Sequence, residues 1–285
     1  MMALGLMKVL GLLLIESIVL YKYMGPNVTI GIIFMVVICS ILVGPIVIWL
    51  DKAVSYKKLD QHTCARLSRI KDNLTREIKR AYGIDVSTFK IYVFEKEDLF
   101  VSKTYGLKSL GISSAMLQLD DMTLHAAMAN ELAHGIMLDV YFNRMIQINM
   151  VMGILLIMGT SYITIALFWI IFLLLCAFSR VGIGGYLITN LLGKVIKGLF
   201  KMAEQILMLV CGLLMKAINH WNVYQADKFV CGLGLGSQLI YYLDRFATEE
   251  HSRTPLGGYP ISMLPDVQNR IHRIKREEVL QLQRG

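Results

Sequence analysis

Ile146 to Phe178 runs for 33 residues and Val28 to Leu50 for 23, and neither stretch holds a single Asp, Glu, Lys or Arg. A helix needs only about 20 mostly apolar residues to cross the hydrocarbon core of a bilayer. Backbone polar groups in that core must be satisfied within their own segment, so such stretches fold as helices. Composition agrees with a membrane protein: 55% of the 285 residues are hydrophobic and mean hydropathy is +0.56, above soluble usage.

Two further stretches bring the expected spans to about four. Met1 to Tyr21 is apolar but carries Lys8 and Glu16. No small-residue cleavage site follows it, since Val19 to Tyr23 is bulky, so it reads as a first span rather than a signal peptide. A turn at Gly25-Pro26-Asn27 joins it to the second. From Val181 to Ala217 the pattern is mixed: Lys194, Lys197 and Lys201 share one helical face, and Ala203 to Met215 is apolar apart from Glu204 and Gln205. A fourth span lies here. Its lysines suit anionic lipid heads or mark a span boundary.

The polar segments 51–145 and 218–285 must share one side of the membrane if they form one domain, so the hairpin 146–217 crosses twice. Lys52, Lys57, Lys58, Arg66, Arg69 and Lys71 follow the second span directly, whereas only Lys22 lies between the first two. The positive-inside rule places both polar segments in the cytoplasm. Such residues also account for the formal charge of +8; no basic stripe alternates with aromatics, which argues against a nucleic-acid partner. The five cysteines show no CxxC spacing, against a disulfide framework or a cysteine-zinc site.

Within the polar segments, Cys64, Leu67, Ile70, Leu74, Ile78 and Tyr82 recur at steps of three and four, predicting an amphipathic helix over 60–82. Phe89 to Phe94 reads as a strand and Lys108 to Ser113 as a weaker one. Asp120 or Asp121 can cap a helix from about Met122 to Leu138. Thr248 to Ser262, with two prolines and two glycines, reads as a loop. Val267, Ile271 and Ile274 line a last helix that Pro265 helps to start. The expected fold is therefore an α-helical membrane protein with about four transmembrane helices (two of them in 1–50) plus a small cytoplasmic α+β domain split by the hairpin.

Chemistry is suggested by Asn130-Glu131-Leu132-Ala133-His134. It reads as HExxH with the first histidine replaced. In HExxH the two histidines, four apart on a helix, project from one face and share a zinc ion. The glutamate between them takes a proton from the metal-bound water. Here Glu131 and His134 keep the base and second-ligand positions, but Asn130 offers only an amide oxygen, a poor zinc ligand. His125, nine residues before His134, faces the other way. Elsewhere, Gly232-Leu-Gly-Leu-Gly236 has the look of a phosphate loop, but no strand precedes it, and a helix-to-helix turn is the better reading. His62, His251 and His272 read as solvent-exposed.

The order of these parts resembles the HtpX-like integral membrane zinc metallopeptidases, bacterial relatives of the CAAX prenyl protease group. Leu124 to His134 (LHAAMANELAH) is similar to the family's metal helix, and Asp139 matches an aspartate common there. After the hairpin, Val223 to Asp227 (VYQAD) is similar to the family's Glu-Tyr-x-Ala-Asp, and Leu264 to Ile274 to its terminal helix. The resemblance implies a gluzincin-like protease domain, zinc as cofactor and a bacterial inner-membrane location. It assigns Glu131 as general base, His134 as the surviving ligand, Asn130 and Val223 as substituted ligand positions, and Asp227 as the carboxylate that orients the first histidine.

With two of three ligands replaced, zinc is expected to be weak or absent. Asp227 is free to accept a hydrogen bond from Asn130 instead. His220, seven residues before Asp227 on a shared helical face, is a candidate replacement ligand; its other reading is a residue at the membrane boundary beside Trp221. Besides a structural membrane protein with no client groove in use, two functions follow as expectations. One is a degenerate homologue that binds membrane-protein clients or regulates their quality control, with Lys108 to Ser113 pairing with client backbone. The other is an active endopeptidase with a site remodelled around Glu131, His134 and His220. Lipids and membrane-protein clients are the expected partners, with a homo-oligomer left open.

Overall fold

The first long helix outside the apolar stretches shows how local sequence builds this protein. Asp60 caps α3 (Gln61–Tyr82) by accepting from the Thr63 amide at 3.2 Å, and Gly83 ends it at φ +68°. That backbone angle is one glycine adopts without strain. Leu67, Ile70, Leu74 and Ile78 are buried along one face, each contributing about 1.5–3 kcal/mol by leaving water. Cys64, expected on that face, is exposed.

The computed structural model describes residues 2–55, 59–95, 100, 102–106, 109–178, 183–246, 253–256, 259–262 and 265–283. The N-terminal stretch forms α1 (Met2–Met24) and α2 (Pro26–Ser55), separated at Gly25 with φ +77°. A three-stranded sheet follows, with β1 (Lys90–Phe94), β2 (Ser102–Gly106) and β3 (Ser109–Ser113) in the order β1-β3-β2. β1 pairs with β3 in parallel, and β2 with β3 antiparallel.

This order corrects one expectation. The sequence assigns client pairing to the strand over 108–113, yet β3 is hydrogen-bonded on both sides. A central strand has no ladder groups left to offer. The edges are β1 and β2, and the Ser-Lys-Thr-Tyr-Gly sequence of β2 did not mark it as a strand.

A short 3-10 helix (Ser114–Gln118) leads into α4 (Asp121–Ile136). Asp120 caps α4 by accepting from the amides of Met122 and Thr123. The helix is buried almost all round. It therefore shows no amphipathic stripe, and its polar side chains need partners inside the protein. Leu138 takes φ +58°, ending α4 at a cost of about 1–2 kcal/mol for a residue with a β-carbon. The chain then enters α5 (Asp139–Phe178).

After α6 (Ile183–Gly232), Gly234 at φ +76° turns the chain into α7 (Gly236–Phe246). The glycine run is thus a helix-to-helix turn. Gly232 is required for a second reason: a Cβ there would collide with the Tyr82 hydroxyl. Tyr82 stacks on Phe229 at 4.4 Å between centroids and donates to the Phe229 carbonyl at 2.9 Å.

A two-stranded sheet of β4 (Arg253–Leu256) and β5 (Tyr259–Ser262) stands where a loop was expected. α8 (Val267–Leu282) closes the core with Ile271 and Ile274 buried, capped by Asp266.

By packing, the chain divides into two units. The first, Met1–Met145 with Lys216–Thr254 and Ser262–Gly285, holds the sheet and the hydrophobic core of α3, α4, α7 and α8. The second is Ile146–Met215 with Pro255–Ile261. Within it, Gly153 lets α5 approach Leu207 of α6 closely, while Leu155, Ile163, Leu173, Leu199, Ile206 and Leu213 are exposed. Among the described residues, two helices are long and apolar enough to cross a membrane, over Asp139–Leu174 and Asn190–Gly232; Pro26–Cys39 is a shorter apolar helix.

Candidate functional site

Glu131 and His134 sit one turn apart on α4 and share a cavity of about 280 Å³. β2 contributes Ser102, Lys103 and Thr104 to its lining, α5 contributes Asp139, Val140 and Asn143, and α6 contributes Asn219, Asn222 and Val223. The fold thus brings together Glu131, His134 and Val223 from distant parts of the chain. His220 is not in this lining, and His125 lies elsewhere, with Nε2 3.0 Å from Glu77 of α3.

Each polar group here has a specific partner. Glu131 Oε2 accepts from the Thr104 amide at 3.1 Å, so the carboxylate caps a backbone donor of the edge strand. His134 Nδ1 lies 3.0 Å from Asp139 Oδ2, a pairing made possible by the left-handed turn at Leu138. Asp139 also receives Lys8 Nζ of α1 at 3.1 Å. Lys8 donates at 2.6 Å to Asn222 Oδ1 and lies 4.3 Å from the Trp221 ring centroid. Neither Lys8 nor Asn222 carried a sequence signal for the site; a lone lysine in an apolar stretch was the only hint.

Next to this cluster is a second one. Asn130 Nδ2 donates to Asp227 Oδ1 at 3.0 Å, the bond expected between these two residues. Arg270 of α8 grips the same carboxylate with Nε to Oδ2 at 3.0 Å and Nη2 to Oδ1 at 2.6 Å. Asn130 and Asp227 are 8% and 3% exposed, so these bonds form away from water, where charge-assisted pairs are strongest. Sequence reading singled out the terminal helix but not Arg270.

The electrostatics follow from burial and neighbours. Burial pushes the Glu131 carboxyl above its ordinary pKa; the charges of His134 and Arg270 and the Thr104 bond offset this only in part. For His134, burial opposes the charged imidazole, but the Asp139 bond and the Glu131 and Asp139 charges outweigh it, and its pKa is raised. Tyr242 of α7 is pushed up to about 12 by burial and then by the Glu131 charge. Arg270 is held more firmly protonated: burial works against its charge, and Asp227 overcomes it.

Do these residues fit a zinc ion? A zinc site needs three or four imidazole, thiolate or carboxylate donors converging on one point. Among the described residues no group of three His, Cys, Asp or Glu converges in that way. The Asn130 amide is engaged by Asp227, and Val223 presents an isopropyl group. The donor set does not complete the metal's coordination.

No family model matches the chain, and no curated protein matches it. Among solved structures, the crystal structure of S. mikatae Ste24p aligns with a TM-score of 0.44 and 15% identity, over 94% of this chain and 63% of that one. The chain therefore spans less than two thirds of the length of Ste24p.

Proposed function

We propose that this chain is an HtpX-like membrane metallopeptidase homologue whose zinc centre has been dismantled, and that it holds segments of membrane-protein clients without cutting them. The observation that carries this reading is the Asn130–Asp227–Arg270 cluster. The positions matching a first ligand and its orienting carboxylate are spent on joining α4, α6 and α8 to one another. A metal is no longer needed to pin these helices.

Client binding would use β2, the edge strand beside the cavity that holds Glu131 and His134. Main-chain pairing on such an edge recognises extended segments of many sequences, which suits a role in membrane-protein quality control. Charge asymmetry around the first two spans favours a cytoplasmic face for this unit, in a bacterial inner membrane by the family resemblance. The rival reading, an active enzyme rebuilt around His220, draws no support from the cavity lining.

Two measurements test this. Metal analysis of the purified chain in detergent is expected to find far less than one zinc per chain. A photo-crosslinker at Lys103 is expected to capture membrane proteins in cells. Stoichiometric zinc that disappears in His134→Ala, together with cleavage of a test peptide, would establish the enzyme instead.

A further inference from the structure

Three lysines of α6 face outward from a helix apolar enough to cross a membrane. Lys194, Lys197 and Lys201 are exposed, and none has a hydrogen bond or ion pair among the described residues. At about 100° per residue, they fall within about 60° of one another around the helix and over about 10 Å along it. Beside them the surface is apolar: Leu191, Val195, Leu199 and Met202 are each more than half exposed. Glu204 is the one acidic residue between Ile183 and Met215, so the stripe keeps a net positive charge.

A charge among lipid-facing side chains is costly unless it reaches a counter-charge. Lysine can reach one, because its stem packs on apolar surface while the ammonium extends to the headgroup layer. Two aromatic residues mark that layer. Gly153 of α5 meets Leu207 of α6. Equal steps along the two antiparallel helices from that contact bring Tyr162 level with Gly198 and Trp169 level with Leu191. Both rings are exposed, and Tyr and Trp collect at the membrane–water boundary. Gly198 itself stands between Lys194 and Lys201 on the helix surface, with nothing within 4 Å of where its Cβ would be. It leaves a hollow flanked by ammonium groups.

We propose that Lys194, Lys197 and Lys201, around the hollow at Gly198, bind the headgroup of an acidic phospholipid whose acyl chains lie along Leu191, Val195 and Met202. Phosphate oxygens accept from lysine donors in charge-assisted bonds. The chains of the same molecule cover the adjoining apolar face, so one amphiphile satisfies both surfaces. A second copy of this chain would set lysines against lysines. An acidic helix of another protein is disfavoured by shape, since helices in a bilayer pack through small residues and long lysines hold a neighbour away. The site lies wholly within the second packing unit and needs no client.

The test uses the full chain in dodecyl maltoside micelles doped with dioleoyl phosphatidylglycerol or, for comparison, dioleoyl phosphatidylcholine. Native mass spectrometry counts the bound lipid. The unmodified protein is expected to bind phosphatidylglycerol about tenfold more tightly than phosphatidylcholine, an arm that needs no variant to fold. The triple variant Lys194→Gln, Lys197→Gln, Lys201→Gln should abolish that preference. Gly198→Leu keeps all three charges and suits a helix better than glycine, but it fills the hollow. It should weaken phosphatidylglycerol binding about threefold. A control triple variant, Lys79→Gln, Lys228→Gln, Lys275→Gln, removes the same charge from exposed positions outside the stripe and should keep the preference.

Equal affinity for the two lipids would overturn the site, as would a stripe variant that keeps the preference. A control variant that loses it would overturn the site too, since net charge alone would then draw the lipid. Undiminished binding by Gly198→Leu would overturn the hollow as the headgroup's seat. Zero-length carbodiimide coupling in native membranes tests the other occupant. Capture of a second protein's carboxylate by Lys194, Lys197 or Lys201 would assign the stripe to an acidic helix and overturn the lipid.

Discussion

Arg270 and Asp227, 43 residues apart, meet through two parallel hydrogen bonds of 3.0 and 2.6 Å, with the Asp227 side chain buried and that of Arg270 mostly so. Three helices converge on that one carboxylate, because Asn130 of α4 shares its Oδ1. A buried ion pair adds little net stability when intact, but removing one partner strands the other charge. Arg270→Ala should therefore destabilise the protein by about 3–5 kcal/mol. Asn130→Ala, which leaves the pair in place, should cost about 1–3 kcal/mol. Thermal unfolding in detergent checks the order; equal losses would show that the three groups do not act as described.

The proposed replacement of two zinc ligands can be reversed by substitution. Asp227 already accepts a hydrogen bond from residue 130, and Val223 lines the cavity that holds His134. Asn130→His combined with Val223→Glu is expected to bind zinc close to one per chain, as measured by metal analysis, whereas either change alone leaves too few donors. Absence of zinc in the double variant would count against the match of these positions to the family's ligands.

His134 makes the cavity pH-sensitive. Its folded pKa is raised, with burial opposing and Asp139 and Glu131 prevailing; Arg270 also opposes. A raised pKa means the protonated form is favoured by folding. The associated stability is present below the ordinary value of about 6.5 and is lost as pH rises through the higher folded value. Melting temperature should fall across that window, and Asp139→Asn should flatten the fall. An unchanged slope would contradict the assigned pair.

Gly232 and Tyr82 supply a packing test. Gly232→Ala forces a methyl group into the Tyr82 hydroxyl and should cost about 1–3 kcal/mol by overpacking. Tyr82→Phe removes the hydroxyl and with it the 2.9 Å bond to Phe229, at about 1 kcal/mol. In the double variant the hydroxyl collision is gone and only a tight 3.1 Å approach to the ring carbon Cζ remains, so the two losses should fall short of additive. Additive losses in chemical unfolding would mean the collision is relieved elsewhere.

Periodicity made the helices legible. Leu67, Ile70, Leu74 and Ile78 announced α3, and uncharged runs announced the long helices, because burial of apolar faces imposes its spacing on the chain. The strand β2 was not legible: it packs by pairing its backbone with β3, and Ser102, Lys103 and Thr104 are only partly buried. Local residue types say little about that kind of pairing.

What the residues determined on their own is the chemistry available: a carboxylate at Glu131, an imidazole at His134, and an amide and an isopropyl group where two zinc ligands would be expected. Tertiary structure alone decided who meets whom. Lys8, Asn222 and Arg270 have no spacing that marks them, since contacts across 43 to 214 residues leave no period in the sequence. Their roles come from helices packed so closely that a buried donor or acceptor must find a partner or remain at a cost.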